Sequence, residues 1–279
     1  MPDVAARAPL DELRRWIASH RRVFVLTGAG CSTGSGIPDY RNEQGEWKRR
    51  PPVMFQAFRT QASTYRRYWA RAYAGWPRFT AAEPSAAHLA FAAWERAGSM
   101  ARLVTQNVDG LHQRAGSRAV IDLHGRLDVV VCLGCGDRTS RASVQAAMNT
   151  SNTEWTASFV AAPDGDADID DAAVEQFEAP RCARCGGLLK PDVVFFGENV
   201  PGARYENARD ALTASDALMV AGSSLMVYSG FRFVQQAHEA GLPIAIVNRG
   251  RTRGDEFAHL KVEGDVGTVL TQAIGVSAP

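Results

Sequence analysis

The stretch VFVLTGAGCSTG, residues Val23–Gly34, decides the fold. Val23–Leu26 is a short continuous apolar run that breaks into the glycine turn Gly28-Ala29-Gly30. A buried parallel strand feeding a tight turn has this pattern. Similar runs recur at Leu103–Thr105, Ile121–Leu123, Ala217–Val220 and Ile244–Val247, with helical patterns such as His88–Ala97 and Phe231–Ala240 between them. Strands alternating with helices predict an α/β fold on a parallel sheet. Leu10, Leu13, Trp16 and Ile17 fit one face of a first surface helix.

Two stretches interrupt the alternation. Residues 42–80 are rich in Arg, Trp, Tyr and Phe and read as helical from Ser63 to Tyr73; residues 131–190 carry two cysteine pairs. The expected organisation is a discontinuous sheet domain (1–41, 81–130 and 191–279) with a smaller inserted domain (42–80 and 131–190). Within the second insertion, Asp164, Asp166, Asp168 and Glu175 fall at EF-hand ligand spacing. The sixth loop position is Ile169 where a glycine is required, so a solvated acidic turn leading into a helix at Ala172 is expected.

Composition excludes several classes of function. The 279 residues carry 31 Lys and Arg against 30 Asp and Glu, a formal charge of +1. That argues against a protein that coats nucleic acid or an anionic membrane. No run approaches the ~20 apolar residues of a membrane helix, and the first 20 residues lack the apolar centre of a signal peptide. A cytoplasmic protein is expected.

Of the five cysteines, Cys132 and Cys135 form one Cys-x-x-Cys pair, and Cys182 and Cys185 another. Each pair can wrap one side of a tetrahedral ion, and four thiolates leave no position open for water. This pattern predicts a structural zinc site rather than a catalytic one. Cys31, in the glycine turn, reads as a small buried hydrophobe.

The polar residues at the strand ends are the chemical candidates. Glycines in the first turn let the backbone approach a pyrophosphate. Gly222-Ser223-Ser224 follows the run at 217–220, and Asn248-Arg249-Gly250 follows the run at 244–247. Gln106-Asn107-Val108-Asp109 and His124 end two further strands. Ligands of open α/β sheets sit beyond these carboxyl ends. Their convergence points to a dinucleotide, and His124 has the pKa range of a general base.

Taken together, GAGCSTGSGIPDYR (28–41), TQNVDGLHQRAG (105–116), LHG (123–125), the cysteine pairs, KPDVVFFGE (190–198), GSSL (222–225) and VNRG (247–250) resemble the sirtuins, NAD-dependent protein deacylases. YWARAYAGWPRF (68–79), PDYR (38–41) and VYSGFRF (227–233) are similar to the class II branch, the group of the mitochondrial lipoamidase-type member. The resemblance implies a Rossmann-like sheet domain, a small domain with zinc and a helical module, and a cleft between them for NAD and an acyl-lysine protein or peptide.

By the same resemblance, Gly28, Ala29, Gly30, Pro38, Asp39, Tyr40, Arg41 and Trp47 would hold the phosphates and the nicotinamide side. Ile37 and Asp109 would hold the carboxamide, and Gln106, Asn107 and Val108 would lie along the ribose. Gly222, Ser223, Ser224, Asn248, Arg249, Gly250 and Val266 would line the adenosine end. The acyl oxygen would attack the ribose as nicotinamide leaves. His124, with Asn107 as its catalytic neighbour, would then deprotonate a ribose hydroxyl. The substrate would add as a strand on Val193, Val194, Phe195, Phe196, Gly197 and Glu198. Tyr68 and Arg71, at i and i+3 on the predicted helix, would meet an acidic acyl group; the alternative is a core tyrosine and a surface arginine. Tyr40 stands where class I members carry phenylalanine. Two other functions are compatible with the same residues: a protein ADP-ribosyltransferase, and a non-catalytic zinc-ribbon module that senses NAD.

Overall fold

The computed structural model describes residues 4–39, 42, 44, 46, 53–157, 160–162 and 166–275. Tyr40, Arg41, Trp47 and Asp164 lie outside them. In chain order the elements are α1 (Val4–Ser19), β1 (Val23–Thr27), α2 (Phe55–Thr60), α3 (Ala62–Thr80), α4 (Ala86–Arg96), β2 (Met100–Thr105), α5 (Leu111–Arg114), β3 (Val120–Asp122), β4 (Gly125–Cys132), β5 (Arg138–Ser140), α6 (Arg141–Ser151), β6 (Val160–Ala162), β7 (Asp166–Asp168), α7 (Asp171–Gln176), β8 (Leu189–Val193), α8 (Gly202–Thr213), β9 (Ala217–Ala221), α9 (Tyr228–Glu239), β10 (Ile244–Asn248), β11 (Leu260–Glu263) and α10 (Val266–Ile274).

Six strands form a parallel sheet in the order β11-β10-β9-β1-β2-β3. Strand β1 sits inside it and is fully buried. Its side chains alternate between two cores. Val23 and Val25 join Leu13, Phe91, Trp94 and Leu270 on the face covered by α1, α4 and α10. Phe24 and Leu26 join Leu212, Phe233 and Val234 under α8 and α9. Each such side chain contributes about 1.5–3 kcal/mol on burial, so an apolar run without polar alternation is what a two-faced sheet selects. The α/β reading therefore holds. Leu10, Trp16 and Ile17 pack on the first core, as the amphipathic pattern of α1 requires.

A third core belongs to a three-stranded sheet, β5-β4-β8, packed with α2, α3 and α6. In the β4–β8 pairing Gly125 lies opposite Val193 at one end and Cys132 opposite Leu189 at the other.

Two local expectations are corrected. Helix α3 does not stop at Tyr73 but runs to Thr80, through Pro77. A proline removes the N–H that would reach the carbonyl four residues back; here Gln145 Nε2 donates to that Tyr73 carbonyl at 3.4 Å. The acidic stretch is not a turn throughout. Asp166–Asp168 is a strand paired antiparallel with Val160–Ala162. Helix α7 then starts at Asp171, capped by the Asp170 side chain, which accepts from Ala173 N at 2.7 Å. Among the described residues no helix is long and apolar enough to cross a membrane.

Candidate active site

The carboxyl ends of β1, β2, β9 and β10 meet at the turns the sequence singled out. Gly28 N donates to Ala221 O, Gly30 N to Gly222 O, and Gly222 N to Val247 O. The contacts are too close for side chains. A Cβ on Gly28 would lie 2.8 Å from Gly222 O, and one on Gly30 2.8 Å from Gly222 Cα. Gly222 itself has φ +63°, a conformation glycine adopts without steric cost. Leu225, two residues after Ser223, also has a positive φ of 59° and is buried, with its N–H on Ser223 Oγ at 3.2 Å. Strain of this kind collects at ligand sites.

Polar side chains converge on these turns. Asn107 Nδ2 donates to Gly28 O at 3.1 Å and to Ser32 Oγ at 2.9 Å. Ser32 Oγ in turn donates to Asp109 Oδ2 at 2.7 Å, while Asp109 Oδ1 accepts from Leu111 N at 2.9 Å. Gln106 Nε2 donates to Ser223 Oγ at 2.7 Å. Ile37, whose N–H reaches Ser32 O, closes the loop on the same side. Pro38 and Asp39 follow it, half-buried. This donor-rich, glycine-lined crevice fits a dinucleotide. At its far end Asn248 is buried and donates from Nδ2 to Arg249 O and Gly250 O. Val266, at the start of α10, is buried in the first core.

His124 stands half-buried just before β4. Its Nδ1 lies 2.9 Å from Gln106 O. A carbonyl can only accept, so the proton is on Nδ1 and Nε2 presents a lone pair. Ser229 Oγ lies 2.7 Å from that Nε2. Burial, with Arg232 and Arg204 nearby, pulls His124 down to about 4, against the contrary pull of the Gln106 carbonyl. The imidazole is therefore neutral at physiological pH, as a general base requires.

Two further histidines were not anticipated. His88 and His112 are buried with ring centroids 4.6 Å apart. Ser85 N donates to His88 Nδ1 at 3.0 Å, so His88 Nε2–H points at Ser32 Oγ, 3.4 Å away. His112 Nε2 pairs with Thr27 Oγ1 at 3.0 Å. Burial lowers His88 to about 4 and His112 well below its ordinary value. In the unfolded chain all three histidines titrate near about 6.5. Between about 6.5 and 4 the unfolded state binds more protons, so stability falls as pH falls. The slope is up to about 1.4 kcal/mol per pH unit for each histidine. Thermal melts at pH 7.5 and 5 should show a clear drop in Tm at the lower value; equal Tm values would contradict the neutral buried state.

The segment after β8 is held firmly. Glu198 Oε2 accepts from Lys190 Nζ at 2.7 Å and from Phe195 N at 2.9 Å, and Lys190 Nζ donates to Val193 O at 2.6 Å. Lys190 is buried and lies over the Phe55 and Phe195 rings. Val194 N donates to His124 O at 2.8 Å, and Phe55 N to Phe196 O at 2.9 Å. Gly197 has φ +80°. The Tyr68 ring packs on Phe58 and Phe195, each at 5.1 Å between centroids, and Arg71 is half-buried one turn further along α3.

The four thiolate positions come together as their spacing predicts. Cys132, Cys135, Cys182 and Cys185 place all their sulfurs within 4.8 Å of one another. Cys132 and Cys185 are 3.4 Å apart, and Cys135 and Cys182 3.8 Å. Sulfurs about 2.3 Å from a tetrahedral zinc would be about 3.8 Å apart, so the cluster fits the ion. The N–H groups of Cys135 and Gly134 lower the Cys132 thiol, while, against the pull of the Gly187 N–H, contact with Cys132 and Cys135 raises that of Cys185. Cys31 is the opposite case: burial raises its thiol, and it packs in the first core.

A model of the Sir2 family matches residues 28–229. The NAD-dependent protein deacetylase of Xanthomonas axonopodis pv. citri is 62% identical over 252 residues, 90% of this chain and 86% of that protein. The NAD-dependent protein deacetylase 2 of Bradyrhizobium diazoefficiens is 56% identical over 261 residues, 92% of this chain and 96% of that one. Among solved structures, a Sir2–p53 peptide–NAD+ complex superposes with a TM-score of 0.76 at 29% identity, over 96% of this chain and 99% of that one. A Sir2 protein bound to a myristoylated histone peptide gives 0.69 at 29%, over 96% of both chains. A crevice of glycine turns, a neutral histidine at its mouth and a four-cysteine cluster thus stand on a chain whose sequence matches across most of its length: the chain belongs to the Sir2 family, the sirtuins.

Proposed function

We propose that this chain is an NAD-dependent protein-lysine deacylase of the cytoplasm, class II in its branch, with NAD and Zn2+ as its cofactors. The observation that carries the reading is the single hydrogen bond between His124 O and Val194 N. It sets the candidate base directly beside the segment on which a peptide strand would lie. NAD supplies an activated ribose carbon on which the acyl oxygen can displace nicotinamide. Around it, Asp109, fixed by Ser32, would accept from the carboxamide. Asn107 would hold the ribose end, and the turns at 28–30, 222–224 and 248–250 would take the phosphates and adenosine. His124 Nε2 would take a proton from a ribose hydroxyl. The inserted domain, 42–80 and 131–190, would form the other wall of the cleft, with zinc as its structural support.

In this reading Tyr68, whose ring is tilted against Phe195, and Arg71, one turn along α3, would meet the acyl end. A guanidinium on a carboxylate contributes about 1.5–3 kcal/mol, or ~10–200-fold. A panel of acyl-lysine peptides with NAD, read by mass spectrometry, tests both levels. The expected products are nicotinamide, free lysine and O-acyl-ADP-ribose in equal amounts. Transfer of ADP-ribose to protein without free lysine would redirect the assignment to an ADP-ribosyltransferase. Arg71→Met should depress activity on succinyl and glutaryl peptides by that factor and spare acetyl. An equal change on all acyl groups would return Arg71 to a packing role.

A further inference from the structure

Resting on the reading of His124 as the base, we infer that Ser229 is a second catalytic residue, the hydroxyl through which the proton reaches His124. Both imidazole nitrogens are already engaged. Nδ1–H is held by Gln106 O at 2.9 Å, so a proton can enter only at Nε2, and Ser229 Oγ stands 2.7 Å from it. With the lone pair on Nε2, the serine must be the donor in the resting state. The serine is also held from behind. Its place is the first turn of α9, where a Cβ on the neighbouring Gly230 would meet Gln106 Oε1 at 2.5 Å. Gln106 thus fixes one side of the imidazole through its carbonyl and seats the helix end that presents Ser229 to the other. Arg232 Nε, on the same helix, donates to Ser229 O at 3.3 Å.

A hydroxyl can donate before the transfer and accept after it. The step therefore balances without another reagent. The Ser229 Oγ–H bond breaks as Nε2–H forms, and the ribose O–H bond breaks as a new Oγ–H forms. The electron pair left on the ribose oxygen makes the bond to the acyl carbon, whose C=N π pair moves at the same time onto the lysine nitrogen. His124 ends as imidazolium, with Nδ1–H on Gln106 O and Nε2–H on Ser229 Oγ, and later returns the proton to the departing lysine amine. In the sequence the stretch VYSGFRF (227–233) pointed only to a branch of the family; nothing tied Ser229 to a partner 105 positions away.

The test compares wild type, Ser229→Ala, Ser229→Thr and His124→Ala under single-turnover conditions with an acyl-peptide and NAD. Nicotinamide exchange, which precedes the need for a base, should proceed in Ser229→Ala at the wild-type rate. Free-lysine formation should fall about 10–100-fold, up to the lower limit of the ~10²–10⁴-fold that a general base supplies, because His124 remains in place, and Ser229→Thr should restore it to within about threefold. In mixtures of H2O and D2O the wild-type rate should follow a curved proton inventory, from two protons in flight, and Ser229→Ala a linear one. Wild-type deacylation by Ser229→Ala with His124→Ala inactive would overturn the relay alone, as would loss of exchange in Ser229→Ala or a linear wild-type inventory. Full activity in His124→Ala would instead remove the base on which the relay depends.

Discussion

Replacing Cys182 by alanine should leave a protein that no longer holds its metal and no longer folds its smaller half. Elemental analysis of the wild type should find one zinc per chain; the variant should retain far less and be recovered mostly insoluble. The magnitudes explain the size of the effect. Structural zinc sites contribute about 10–16 kcal/mol in small zinc-binding peptides, comparable with or above the entire ~5–15 kcal/mol by which a domain is stable. The four sulfurs lie within 4.8 Å of one another. Without an ion, thiolates this close would repel one another, and they must protonate or separate. Cys132 and Cys182 are also buried within the third core, so separating them would disturb its packing against Trp69 and Val130. A pure wild-type preparation free of stoichiometric metal would refute the site.

His124→Ala should abolish release of free lysine while NAD still binds. Loss of a general base costs ~10²–10⁴-fold, and because the base acts in the chemical step the loss should fall on kcat. The dissociation constant for NAD, measured by calorimetry, should stay within about threefold of wild type. His124 touches the crevice through Gln106 O and Ser229 Oγ, while the contacts joining the glycine turns at 28–30 and 222 are made without it. Turnover by His124→Ala close to wild type would take the histidine out of the mechanism; a collapse in NAD affinity would make it a binding residue.

What the sequence made legible was local. The run Val23–Leu26 revealed a strand because burial on both faces removes polar residues from it, and the cysteine pairs announced their ion through spacing alone. The strand-end candidates Asn107, Asp109 and Ser223 could be found because open α/β sheets place their ligands there. Other features depend on distant partners. Ser32 is tied to Asp109, 77 positions away, and His88 approaches it from 56 positions away. Gln106 reads as a ribose contact, and its side chain donates to Ser223, 117 positions later, a pairing the sequence does not announce. Helix α3 outran its expected end because Gln145, 72 positions beyond Tyr73, takes up the carbonyl that Pro77 leaves free. Such pairings carry no periodic signal, and only the folded chain brings them together.

The β4–β8 ribbon connects two events that chemistry alone would keep apart. One end pairs Gly125, next to His124, with Val193; the other pairs Cys132 with Leu189. The eight residues of β4, about 25 Å of backbone, run from beside the proposed base to the cysteine cluster, with an irregularity in the pairing between Arg126 and Val130. Ligands at the two ends of one cooperative element are thermodynamically linked, and the linkage is reciprocal. If bound zinc tightens the platform for a peptide strand by some factor, a bound peptide raises the affinity for zinc by that same factor. On the proposed reading, an ion with no part in the chemistry would then act as an effector of substrate binding, and bound substrate would help to retain the ion.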